Sequence, residues 1–164
     1  MSEPCYMDVT QKKPILILGI GNLILKDEGF GVHVVRKMMD MSFPEDVEVM
    51  DGGTMGIDLL YYIEGRKKVI AIDVVKADSR PGTIYRFTDK DIDYHREMLR
   101  SAHEIDFAYV LKTAEHMGNK PDNVVFIGIT PQEIEPGIGL SPVLEKKIPQ
   151  VIDLVMQEIE SSRN

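Results

Sequence analysis

The sequence predicts an α/β fold: a three-layer sandwich with a mostly parallel, twisted, five-stranded sheet and helices on both faces. Three observations predict it. Short apolar runs alternate with stretches of helical periodicity, the pattern of a parallel sheet connected by helices. The run VIAIDVV at 69–75 is apolar on both faces except for Asp73, as a covered central strand requires. The segment ILILGIGNLILKDEGFGVHVV at 15–35 reads as strand, glycine turn, polar loop and helix. Open α/β sheets place their chemistry at the carboxyl ends of such strands.

Taken in order, residues 1–13 read as a flexible amino-terminal arm and 14–164 as a single domain. Ile15 to Leu18 form the first strand. Lys26, Asp27 and Glu28 occupy the loop after it, and Val32, Val35 and Met39 recur at helical spacing over 29–40. Pro44 and its acidic neighbours make a turn. Val47 to Met50 form a short strand, Asp51-Gly52-Gly53-Thr54 a loop, and Ile57, Leu60, Tyr61 and Ile63 a second helix that ends near Gly65. After the strand at 69–75 comes a Pro81-Gly82 turn, then a shorter strand at 83–87 whose polar positions mark a sheet edge. The stretch 88–104 is charged and irregular. Phe107, Val110, Leu111 and Ala114 fall at i, i+3, i+4 and i+7, an amphipathic helix. Val124 to Ile129 form a buried strand. TPQEIEPGIGLSP at 130–142 is a loop, and Ile148, Val151, Ile152, Val155, Met156 and Ile159 mark the last helix. Right-handed crossovers place the first and third strands side by side, with the first two helices on opposite faces. The crevice then lies where the winding reverses, and Glu28 and Asp73 converge on it.

Composition narrows the function. With 164 residues and 43% hydrophobic content, the chain suits one packed core. A net charge of −8, from 27 acidic and 19 basic residues, argues against nucleic acid or an anionic membrane as partner. Cys5 is the one cysteine, so no internal disulfide can form. The start, MSEPCYMDVTQKK, has no apolar run of signal-peptide length. A soluble, cytoplasmic, monomeric protein is the expectation.

Two like-charged carboxylates in one crevice are costly unless a proton or a cation joins them. A third group is therefore expected, and the histidines are the candidates. His33 reads as an ordinary helix residue, His95 as exposed, and His116 as a charge near a helix end. His103, in Ser101-Ala102-His103-Glu104 just before a helix, could reach the carboxyl edge of the sheet; spacing leaves its role open. For Asp27, a loop hydrogen bond or a charge at a helix amino terminus is the favoured reading. Asp51 is a secondary candidate, either a group that orients ligand or substrate or an Asx turn across Gly52-Gly53.

These pieces resemble a known family. LGIGNLILKDEGFGVHVV, VMDGGTMGIDLL, VIAIDVV with the following PGT, SAHEIDFAYVL and VVFIGITPQEIEPGIGLSP stand in the order found in the hydrogenase maturation endopeptidases. The match runs from Ile15 to the last helix; the amino-terminal arm is extra and 94–100 shows no clear counterpart. The resemblance implies an endopeptidase that removes the carboxyl-terminal peptide of the nickel–iron hydrogenase large-subunit precursor once nickel is installed. It further implies that Glu28, Asp73 and His103 form the metal-recognising, catalytic cleft, and it selects Glu28 over Asp27. The nickel is that of the substrate, so the free enzyme's site is empty or holds another divalent metal; zinc, cadmium and manganese would also suit such a mixed oxygen and nitrogen donor set. Either the metal polarises the scissile carbonyl or a water, or it positions the substrate while a carboxylate serves as general base.

Other chemistries fit less well. There is no HExxH helix, no Gly-x-Ser-x-Gly elbow and no cysteine placed as nucleophile. A dinucleotide site fails because the third glycine of GxGxxG falls on Ile24. The remaining alternative is a non-catalytic, nickel-dependent docking factor for the same precursor, which would use the same three residues.

Overall fold

A computed structural model describes residues 12–92 and 107–164. Five strands form one sheet in the order β2-β1-β3-β5-β4. They are β1 (Ile15–Ile20), β2 (Val47–Gly53), β3 (Lys68–Val74), β4 (Ile84–Thr88) and β5 (Asn123–Ile129). β1 pairs in parallel with β2 and β3, and β3 with β5. Only β4, at the edge, runs antiparallel. The expected adjacency of the first and third strands is therefore observed, as is the edge position of the fourth.

The helices are α1 (Phe30–Met38), α2 (Leu59–Ile63), α3 (Phe107–His116), α4 (Pro142–Glu145) and α5 (Ile148–Ser161). Strand residues point alternately to two faces. Ile15 and Ile17 of β1 pack with Phe30, Val34 and Met38 of α1 and with Val151, Val155 and Ile159 of α5. Leu16, Leu18 and Ile20 pack with Leu59 and Ile63 of α2 and with Phe107, Val110 and Leu111 of α3. Helices thus cover both faces, and α1 and α2 lie on opposite ones, so the winding reverses between β1 and β3.

Three elements differ in shape from the expectation. β2 runs on to Gly53 where a loop from Asp51 is expected, because its ladder with β1 continues through Asp51 and Gly53. The first helix is shorter than 29–40 and is preceded by a 3₁₀ turn at Lys26–Gly29. The 130–142 loop runs into a single helical turn, α4, which Pro142 opens after Ser141 in extended conformation. Residues 1–11 of the expected arm lie outside the described residues. Lys13 reaches the carbonyl of Val47 at 3.4 Å.

Candidate active site

Glu28 is delivered to the carboxyl edge of the sheet by a tight crossing. Gly31, in the first turn of α1, lies against the backbone of both β1 and β3; a Cβ there would fall 2.1 Å from the carbonyl oxygen of Ile72 and 2.5 Å from that of Ile20. Only glycine permits this approach, and it draws the preceding Lys26–Gly29 turn into the crevice. The carbonyl of Glu28 accepts the Asn22 N–H at 3.1 Å, and its own N–H donates to Leu25 at 3.2 Å. The Glu28 side chain is buried.

Asp73 arrives from the neighbouring strand. It is the penultimate residue of β3, opposite Gly128 of β5, and is buried at 5% exposure. Its Oδ1 accepts the N–H of Val74 at 2.7 Å. Burial pushes the Asp73 carboxyl well above its ordinary range, the charge of Glu28 pushes it further, and the Val74 N–H partly offsets them. Glu28 and Asp73 are therefore brought together, as the topology demands. Two oxygen donors facing one crevice suit a cation, but among the described residues no group of three or more His, Cys, Asp or Glu is assembled. The third residue of the expected triad, His103, lies outside the described residues, as does His95.

Asp51 lies near the carboxyl end of β2, in register with Gly19 of β1. Its Oδ1 accepts the Gly53 N–H at 2.9 Å, which is the Asx turn, and its Oδ2 pairs with Arg36 Nε at 3.1 Å. His33 on α1 is half-buried; burial pulls its imidazole below the ordinary value.

Asp27 adopts the loop-bonding role, in a stronger form than sequence could show. It is fully buried, and both of its oxygens are bonded to the segment after β5: Ser141 N–H reaches Oδ1 at 2.7 Å, while Gln132 N–H, Glu133 N–H and Ser141 Oγ reach Oδ2 at 2.9, 2.8 and 2.8 Å. Its partners lie more than a hundred positions away, so no local pattern announces them.

The family model for hydrogenase maturation proteases matches residues 32–158. The chain belongs to the hydrogenase maturation protease family. The hydrogenase 2 maturation protease of Escherichia coli (strain K12) is 33% identical over 150 residues, spanning 90% of this chain and 92% of that one. The hydrogenase maturating endopeptidase HybD from E. coli superposes with a TM-score of 0.84 at 33% identity, covering 90% of this chain and 93% of that one. A hydrogenase 2 maturation peptidase from a Thaumarchaeota archaeon superposes with a TM-score of 0.70 at 32% identity over 90% and 99% of the two chains. Family membership makes this chain an endopeptidase of hydrogenase maturation and confirms the α/β architecture. Among the described residues no helix is long and apolar enough to cross a membrane.

Proposed function

We propose that this endopeptidase removes the carboxyl-terminal peptide of a nickel–iron hydrogenase large-subunit precursor, and that it recognises the nickel already bound by that substrate through Glu28, Asp73 and His103. The observation that carries the reading is the buried carboxylate pair. Burial and the charge of Glu28 both disfavour an ionised Asp73, which a proton or a cation offsets, and a metal brought by the substrate is such a cation. A precursor without metal supplies none and binds unproductively. The metal acts as a checkpoint on maturation.

In one reading the nickel positions the substrate while a carboxylate of the pair serves as general base to an attacking water. The alternative, polarisation of the scissile carbonyl or of a water by the substrate's nickel, uses the same residues as ligands. Ile24 and Ile138 stand exposed at 62% and 83%. They flank the Leu25–Gly137 bridge, where Gly137 N–H meets the Ile24 carbonyl at 2.9 Å. They offer apolar contact to the precursor on its way to the crevice.

The test is cleavage of a nickel-loaded large-subunit precursor, beside its nickel-free form, by wild type and His103→Ala, with loss of the terminal peptide read by mass spectrometry. Cutting of the loaded form alone, abolished in His103→Ala, is expected. Equal cutting of the nickel-free form would refute the checkpoint.

A further inference from the structure

The carboxylate pair poses a mechanical problem. Asp73 stands in β3, which is laddered to β1 as far as Ile72 and to β5 at Asp73 itself, opposite Gly128. Glu28 sits instead on a short 3₁₀ turn, Lys26–Gly29, that belongs to no strand ladder. The turn is not even a relaxed one: Lys26, which opens it, is held at φ 50°, where side-chain-bearing residues rarely sit. Something outside the turn must hold it in place.

The four hydrogen bonds of Asp27 supply that hold. Every one comes from the segment between β5 and α4. Backbone bonds run alongside: Asp27 N–H to the Glu133 carbonyl at 3.1 Å and Lys26 N–H to the Gly137 carbonyl at 3.2 Å. Lys26 Nζ adds ion pairs to Glu135 at 2.6 Å and Glu133 at 3.3 Å. Those pairs are partly exposed and weak, whereas the Asp27 bonds are buried and charge-assisted.

We propose that Asp27 is a positioning residue for Glu28: its buried carboxylate locks the Glu28 turn to the 132–141 segment and so fixes where Glu28 stands in the crevice. The inference rests on the protease reading given above. Asparagine is the informative replacement. Its amide nitrogen does least harm in place of Oδ1, but there it meets the Ser141 N–H, donor against donor. The clamp then loosens at one corner while the fold keeps the rest.

The experiment measures kcat and KM for cleavage of the nickel-loaded precursor by wild type, Asp27→Asn and Ser141→Ala, with thermal melting as the check on folding. For Asp27→Asn we expect kcat to fall by about 10- to 100-fold, with KM within about threefold of wild type, since partners that orient a ligating or catalytic group act at this scale. Ser141→Ala, which deletes one bond, should lose roughly three- to tenfold in kcat at unchanged KM. Should Asp27→Asn fail to fold, Ser141→Ala decides alone, and an unchanged kcat overturns the proposal. A folded Asp27→Asn with wild-type kcat also overturns it, as does a loss confined to KM, which would make the segment a binding surface instead. Failure of wild type to cut the precursor refutes the protease reading itself, and is thereby distinguished from failure of Asp27 alone.

Discussion

Gly31→Ala is the substitution that asks most of the structure. The added Cβ would lie 2.1 Å from the Ile72 carbonyl oxygen, 2.5 Å from the Ile20 oxygen and 2.8 Å from the Ile20 nitrogen. An ordinary carbon–oxygen contact is roughly 3.3 Å, so about 1 Å of movement is required. The obstacles are backbone atoms of two paired central strands, and neither can turn aside as a side chain would. Helix α1 must lift instead, which also loosens Phe30, Val34 and Val35 in the core. Overpacking of a tight site costs about 3–4 kcal/mol at this severity, and the preference of a helix for alanine over glycine returns about 1 kcal/mol. The net expectation is a loss of about 2–3 kcal/mol, which lowers a urea midpoint by roughly 1–1.5 M at a slope of about 2 kcal/mol/M. Because Glu28 lies one turn before Gly31, activity should fall even at a temperature where the variant is fully folded. An unchanged midpoint would refute the close crossing, and a lower midpoint with wild-type kcat would refute its role in placing Glu28.

Three further perturbations test other parts of the molecule. Burial and Glu28 raise the Asp73 carboxyl above its unfolded value near 3.8; the folded state therefore binds more protons than the unfolded one, and this group's contribution to stability falls as pH rises through that value toward the raised one. Metal-free Asp73→Asn should be inactive yet gain stability over wild type near about pH 7, with the gain shrinking toward about pH 3; a gain independent of pH would refute the account. Ile138→Asp should raise KM for the precursor by about tenfold with little change in kcat, the equivalent of losing one buried aliphatic contact, and an unchanged KM would remove Ile138 from the docking surface. At the opposite edge of the sheet, Lys68 Nζ lies 3.1 Å from Glu158 Oε2 and both side chains are nearly enclosed. Glu158→Ala removes that lysine's counter-charge, leaving it the backbone carbonyl of residue 158 at 2.7 Å and Ser161 Oγ at 3.3 Å, and should cost about 3 kcal/mol in chemical denaturation while sparing kcat; a cost near zero would mean that water reaches Lys68 freely.

Much of this was legible in the chain because hydrophobic period carries it. The VIAIDVV run announced a strand covered on both faces, and the polar positions around Arg86 announced an edge. Asp73 stood out as a charge in an otherwise apolar strand. Glu28 could be placed at the crevice from topology alone, although the choice between it and Asp27 came from family resemblance. The 3₁₀ turn at Lys26–Gly29 was not legible, since its shape depends on Gly31 meeting the carbonyl of Ile72, a contact between distant parts of the chain. Helix α4 was hidden for another reason: one turn following a proline-rich loop has too few residues to show a period.

Asp27 and Glu28 make the sharper case. Adjacent, both acidic and both buried, they are equivalent to any pattern-based reading. What separates them is where their oxygens are satisfied. Asp27 is saturated by three backbone N–H groups and one hydroxyl from a single segment, so its charge has a permanent internal solvent. Glu28 instead lies near Asp73, whose carboxyl its charge raises. On the proposed reading one carboxylate is committed to structure and its neighbour to chemistry, and the bonds of the first fix where the second stands.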